Sequence, residues 1–275
     1  MRIEKLVYFL FFVPFLCCGI DVKPWIDKEY EVEIRAKWLF QHYKSIQTPH
    51  HNYKRNENDH FWSLSAAFPF RRYRGEFELT AAHTHRQNRR IDNFRISFAY
   101  MVLEDTSDPL NLMVGIILTE PLSRALHDVS SFHHGHINAE FFLSFGNRIG
   151  SCFSNGYSFR YWNVCGLGCS DMGSSWIRED VACEFQRDIH SLRLFSNTLW
   201  GLGKENLKPY HFKGYGWIKH RSVDVGVRYG CCFGYLGTLT IQYARRVYAH
   251  NFPQNANLVL LEYYLPFGYQ NPTTY

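Results

Sequence analysis

Beyond its first twenty residues the chain has no continuous apolar run long enough to cross a bilayer as a helix, and the mean hydropathy of -0.30 agrees. This argues against a helical-bundle membrane protein. Apolar stripes at helical spacing are missing too, which argues against a mainly helical soluble domain. There is little excess charge of either sign: 30 Lys and Arg stand against 25 Asp and Glu, a net of +5, and residues 1–19 hold two cations and one acid, leaving +4 without them. The arginine pairs Arg71 and Arg72, Arg89 and Arg90, and Arg245 and Arg246 are scattered and form no binding motif, so nucleic acid is not an expected partner. No recognised zinc-ligand spacing occurs, and no cofactor is expected.

The opening "MRIEKLVYFLFFVPFLCCGI" joins a short basic start, Arg2 and Lys5, to an apolar run from Leu6 to Cys18. The run is short for a membrane span and ends in small residues, which predicts a signal peptide over residues 1–19, cut near Gly19, and a mature chain over 20–275. Acylation of Cys17 or Cys18 fits less well, because bulky Phe15 and Leu16 precede them. Export brings the remaining cysteines, Cys152, Cys165, Cys169, Cys183, Cys231 and Cys232, into an oxidising compartment. Cys165 and Cys169 share a predicted outer hairpin and are candidates for a local disulfide. Cys152, Cys231 and Cys232 fall at predicted inner turns, with Cys183 on a strand descending toward them, which permits a disulfide-linked envelope partner.

What fills the mature chain is alternation with a period of two. In "YEVEIRAKWLF", Tyr30, Val32, Ile34, Ala36, Trp38 and Phe40 alternate with Glu31, Glu33, Arg35 and Lys37, so one strand carries opposite chemistry on its two faces. Counting such segments gives about twelve strands, near residues 30–40, 61–69, 74–84, 92–103, 110–119, 136–146, 156–165, 175–186, 189–200, 215–229, 234–246 and 257–267. Most approach the roughly 9–11 residues a tilted strand needs to cross a bilayer, and an even count suits a closed bacterial barrel. Connections 41–60, 85–91, 120–135, 166–174, 201–214 and 247–256 read as long outer loops, whereas 70–73, 104–109, 187–188 and 230–233 read as inner turns, with connection 147–155 the exception in length. A soluble β-sandwich would also alternate, but without this length difference between its ends. Aromatic residues make up 17% of the chain, suiting rings at the membrane interfaces. The sequence thus predicts an all-β, closed, antiparallel transmembrane barrel.

The last strand, "NLVLLEYYLPFGY", alternates Val259, Leu261, Tyr263, Leu265 and Phe267, and resembles the terminal aromatic strand by which outer-membrane barrels are recognised for assembly. Together with the exported start and the alternation over nearly the whole mature chain, it makes the protein resemble Gram-negative outer-membrane β-barrels. Residues Gly268 to Tyr275 depart from the usual ending. "DVKPW", "RSVDVGVRYG" and "YARRVYAHNFP" also look like stretches of uncharacterised barrels from chlamydia-like bacteria. The resemblance implies an outer-membrane location, contact with membrane lipid and lipopolysaccharide, and the outer-membrane assembly machinery as a partner.

Glu31, Glu33, Arg35, Lys37, Glu76, Glu78, Arg95, Glu140, Asp224 and Arg228 are expected to line the lumen, with both signs represented. Such a mixture either borders a narrow pore or pairs across it. The stretch "HDVSSFHHGH", His127 to His136, falls in the third predicted outer loop and has three readings. His127, Ser130 and Asp128 hold the residue types of a catalytic site, as in lipid hydrolases of the outer leaflet. His133, His134 and His136 hold the types of a metal site. The third reading is a polar mouth facing lipopolysaccharide and the medium. The sequence favours this last reading and a narrow porin-like channel or structural surface protein over an enzyme.

Overall fold

The computed structural model describes residues 22–26, 31–49, 51–104, 109–150 and 156–268. The predicted signal peptide and Cys152 lie outside these residues. Twelve long strands follow in chain order: β1 (Glu31–Gln47), β2 (Asn52–Phe70), β3 (Tyr73–His83), β4 (Arg90–Leu103), β5 (Asn111–Pro121), β6 (Asn138–Ile149), β7 (Tyr157–Ser170), β8 (Trp176–Arg187), β9 (His190–Gly201), β10 (Arg221–Cys232), β11 (Thr238–His250) and, after a three-residue strand β12 (Phe252–Gln254), β13 (Asn257–Gly268). Each long strand pairs antiparallel with its neighbours. β1 pairs with β2 and also with β13, from Glu31↔Gly268 to His42↔Asn257, so the sheet closes on itself. Closure satisfies the backbone of every wall strand without an open edge.

The two faces of this wall invert the arrangement of a soluble protein. Phe98 and Phe141 are each 58% exposed, Leu194 56% and Val225 46%, and every long strand after β1 adds exposed large apolar side chains to the outside. Inside, Glu33, Arg178, Asp224 and Arg246 are all buried. Continuous apolar surface on that scale needs lipid rather than water around it. The alternation that predicted the strands is therefore the alternation between bilayer and lumen.

Two expectations about the outer end change. Residues 41–60 do not form a loop: β1 and β2 run on as a paired ribbon as far as Gln47↔Asn52. The cause lies in the inward side chains, since Tyr43 and Ile46 are fully buried against the loops and β12. β10 starts at Arg221 rather than near residue 215, because residues 202–220 fold over the mouth.

The interior is filled by two apolar clusters. One joins Tyr43 and Ile46 to Val129, Leu207, Phe212, Tyr215, Ile218 and Phe252 at the outer end. The other gathers Trp25, Trp162, Val164, Ala182, Phe195 and Leu258 lower in the barrel.

Candidate functional site

Charged side chains inside the barrel interlock. Arg35 and Arg74 donate to Glu33 at 2.7 and 2.6 Å, and Arg74 reaches Glu76 at 3.4 Å. Lys37 and Arg95 share Glu78 at 2.7 and 3.0 Å. Glu140 takes Arg178 at 2.7 Å and the Trp176 indole N–H at 3.1 Å, Arg228 holds Glu262 at 2.5 Å, and Arg246 grips Asp224 through two nitrogens at 2.7 and 2.8 Å. Glu31 opens β1 at its inner end and is only partly covered. Arg74, Arg246 and Glu262 were not among the expected lining residues. Each was visible as a charge on the inward register of its strand, Glu262 as the lone charge in "LVLLEYYL".

The inner end is occupied by chain that precedes β1. Pro24 and Trp25 are buried inside the barrel, with the Trp25 ring edge-on to Trp162 at 5.5 Å and 88°. Arg160 and Arg148 lie over Trp25 at 5.6 and 6.0 Å, and Arg193 lies over Trp162 at 4.9 Å. Cations on indole faces are favourable where water is scarce, so Trp25 acts as a stopper held by the wall's arginines.

The outer end is capped by the β5–β6 connection, residues 122–137, and the β9–β10 connection, residues 202–220. Their backbones are stitched together: Tyr215 N–H donates to His133 O at 2.8 Å and Gly216 N–H to His134 O at 3.1 Å. The Tyr215 hydroxyl donates to Val129 O at 2.8 Å. Below the stitches, Asp92 on β4 accepts from Ser131 at 2.6 Å and Gln87 at 2.7 Å and bonds His133 at 2.8 Å.

The polar-mouth reading of "HDVSSFHHGH" is thereby corrected. Asp128, Ser131, His133 and His134 are buried, because the loop turns into the barrel and spends its polar groups on the wall. The catalytic reading is corrected as well. The His127 ring bonds Phe212 O through Nδ1, Ser130 Oγ bonds the Tyr43 hydroxyl at 2.8 Å, and Asp128 accepts from Thr84 and from Ser130 N–H, so no hydrogen bond joins His127 to Ser130. The three proposed metal ligands part company: His133 goes to Asp92, His134 to His220 at 3.1 Å, and the exposed His136 to Asp171 at 3.2 Å. Among the described residues no group of three or more ligand-type side chains is placed to hold a metal.

The cysteine expectation fails on geometry. Cys165 and Cys169 lie four residues apart on one face of β7 and both are free thiols. A strand rises about 3.3 Å per residue, which separates them by roughly 13 Å, twice the reach of a disulfide. Cys183, Cys231 and Cys232 are free as well.

His134 and His220 form the one imidazole pair inside the described cap. His134 lies flat on Trp176, ring centres 3.7 Å apart at 6°. Two glycines make the room: a Cβ on Gly168 would fall 1.8 Å from the Trp176 ring, and one on Gly201 would fall 2.2 Å from His220. Burial, then the neighbouring His220 and His133, holds His134 well below the usual imidazole range, and burial pushes His220 down to about 3. Both are neutral in the closed cap, whereas an opened cap would let them take up protons. The stability they lend to closure is complete above the ordinary imidazole pKa of about 6.5 and is lost progressively as pH falls below it. Backbone hydrogen exchange in residues 202–220, corrected for intrinsic rates, should therefore be faster at pH 5 than at pH 7.5, and the double variant His134→Asn/His220→Asn should lose most of that difference. Equal protection at both pH values in the wild type would contradict this account.

No protein family and no curated protein matches the sequence. Solved structures do match in shape. An outer membrane channel from Pseudomonas putida F1 superposes with a TM-score of 0.63 at 11% identity, over 88% of this chain and 97% of that one. The β domain of the Bordetella autotransporter BrkA gives 0.45 at 9% identity, over 88% and 100% of the two chains. The translocator domain of the autotransporter NalP from Neisseria meningitidis gives 0.46 at 9%, over 88% and 90%. The first likeness places the fold among Gram-negative outer-membrane β-barrels.

Proposed function

We propose that the protein is a narrow porin-like channel of the outer membrane, closed in the state described here. The observation that carries this reading is the nature of the two closures. Neither the Trp25 segment nor the two capping connections form a strand of the closed ladder, so both can move while the barrel stays whole. A cavity of about 390 Å³ persists between them. The matched structure is itself described as an outer membrane channel, which supports the same role. Lipid and lipopolysaccharide surround the wall, and the aromatic last strand β13 is the segment offered to the assembly machinery. Cys231 and Cys232, at the inner end of β10, are the thiols available to an envelope partner. The stretches resembling barrels of chlamydia-like bacteria add no solute to this reading.

The deciding experiment is reconstitution in a planar bilayer. Rare, discrete openings from a mostly closed wild type are expected. A barrel that never conducts, even without its inner stopper, would instead be a structural surface protein. Hydrolysis of phospholipid or lipopolysaccharide that disappears in Ser130→Ala would restore the enzyme reading.

A further inference from the structure

We infer that the chamber between stopper and cap is a binding site for a compact, uncharged, largely apolar solute, a substituted aromatic ring being the simplest example. The inference rests on the channel reading and specifies its cargo.

The basis is a row of inward side chains that breaks the polar pattern of the lumen. Leu258 stands beside Ala244, Ala244 beside Gly226, Gly226 beside Phe195, Phe195 beside Ala182 and Ala182 beside Trp162, in direct register across β13, β11, β10, β9, β8 and β7. Gly226 is part of the device, because a Cβ there would sit 2.4 Å from the Phe195 ring, which therefore lies across it. Leu39 and Leu260, paired between β1 and β13, extend the apolar surface along the cavity wall. The row was hidden in the sequence because Gly and Ala barely register as apolar positions.

A charged row runs along each side of it. On one side stand Arg246, Asp224, Asn197 and Asp180, and on the other Gln242, Arg228, Arg193 and Glu184. Their charges are already spent on one another: Arg246 on Asp224, Arg228 on Glu262, Arg193 on Glu184 at 2.9 Å and Asp180 on Arg178 at 2.8 Å. An ionic solute would have to break a buried pair and leave a bare charge behind, which disfavours its binding. A neutral ring covers the apolar row and leaves the pairs intact. Asn197 and Gln242 remain to meet a hydroxyl or carbonyl. The cavity, about 390 Å³, falls in the range of small-molecule pockets.

Two probes with the same ring and different charge test this directly: 1-naphthol and 1-naphthoate, titrated against the intact detergent-solubilised barrel at pH 7 and followed by tryptophan quenching. Naphthol is expected to bind saturably and at least tenfold more tightly than naphthoate. Ala244→Phe, which fills the chamber, and Leu260→Gln, which makes its wall polar, should each weaken naphthol at least tenfold while heat-modifiable migration is kept. The inference is overturned if naphthoate binds as well as naphthol, if naphthol shows no saturable binding, or if neither variant changes it. Binding is read without any current, so a silent bilayer with tight naphthol binding sinks only the channel, and conductance without binding sinks only the cargo.

Discussion

Trp25→Ala should convert rare openings into frequent or sustained conductance, and deletion of Val22–Ile26 should do so more fully. The indole is buried at 5% exposure between Trp162 and the arginines of β6 and β7. Truncating a buried Trp to Ala costs about 3–5 kcal/mol, and each 1.4 kcal/mol changes an equilibrium about tenfold. The closed-to-open ratio should thus fall by about two orders of magnitude or more. Single-channel recording in a planar bilayer reads both the open probability and the step size. Rare openings unchanged from the wild type in both variants would show that closure lies wholly in the outer cap.

Asp224→Ala should be the most damaging single substitution in the upper lumen. It leaves Arg246, 2% exposed, facing an apolar gap with its bidentate partner gone. Breaking a buried pair in this way costs about 3–5 kcal/mol. Arg246 also donates to Pro253 O at 3.3 Å and lies over Phe252 at 4.5 Å, so the loss should spread through β12 into the cap. Urea midpoints for the barrel folded into detergent provide the measure. The double variant Asp224→Ala/Arg246→Met should recover much of the stability, because it removes the stranded charge along with its partner. A cost below about 1 kcal/mol for Asp224→Ala would place the pair in water, on the scale of a surface ion pair, and would mean the cap does not seal.

The wall could be read from the sequence because bilayer and lumen impose opposite chemistry on successive residues, as in Val32–Glu33–Ile34–Arg35. The same contrast hid the rest. In β2 the run "NYKRNENDHF" is polar on both faces where it rises past the membrane, so its pairing with β1 left no apolar trace. The cap residues Val129, Phe132, Phe212 and Tyr215 have no period at all, since loop side chains are buried by three-dimensional convergence rather than by strand geometry. Histidine-rich "HDVSSFHHGH" reads as solvated for the same reason: nothing local announces that Asp92, Thr84, Tyr43 and His220, distant in sequence, will receive its polar groups.

The seam between β1 and β13 sets an order of events during biogenesis. Its twelve matched positions, Glu31↔Gly268 through His42↔Asn257, join residues more than two hundred apart, the most distant pairing in the wall. The entropy of closing so long a segment comes due before the contacts that repay it, which makes this a late step of folding. The Trp25 segment lies just ahead of β1, on the chain side of that seam. Once the two terminal strands have zipped together the continuous ladder leaves no lateral way in, and the segment enters or leaves only through the inner mouth. A nascent chain that stops before Asn257 keeps β1 and β11 as raw edges, open to pairing with any neighbouring strand.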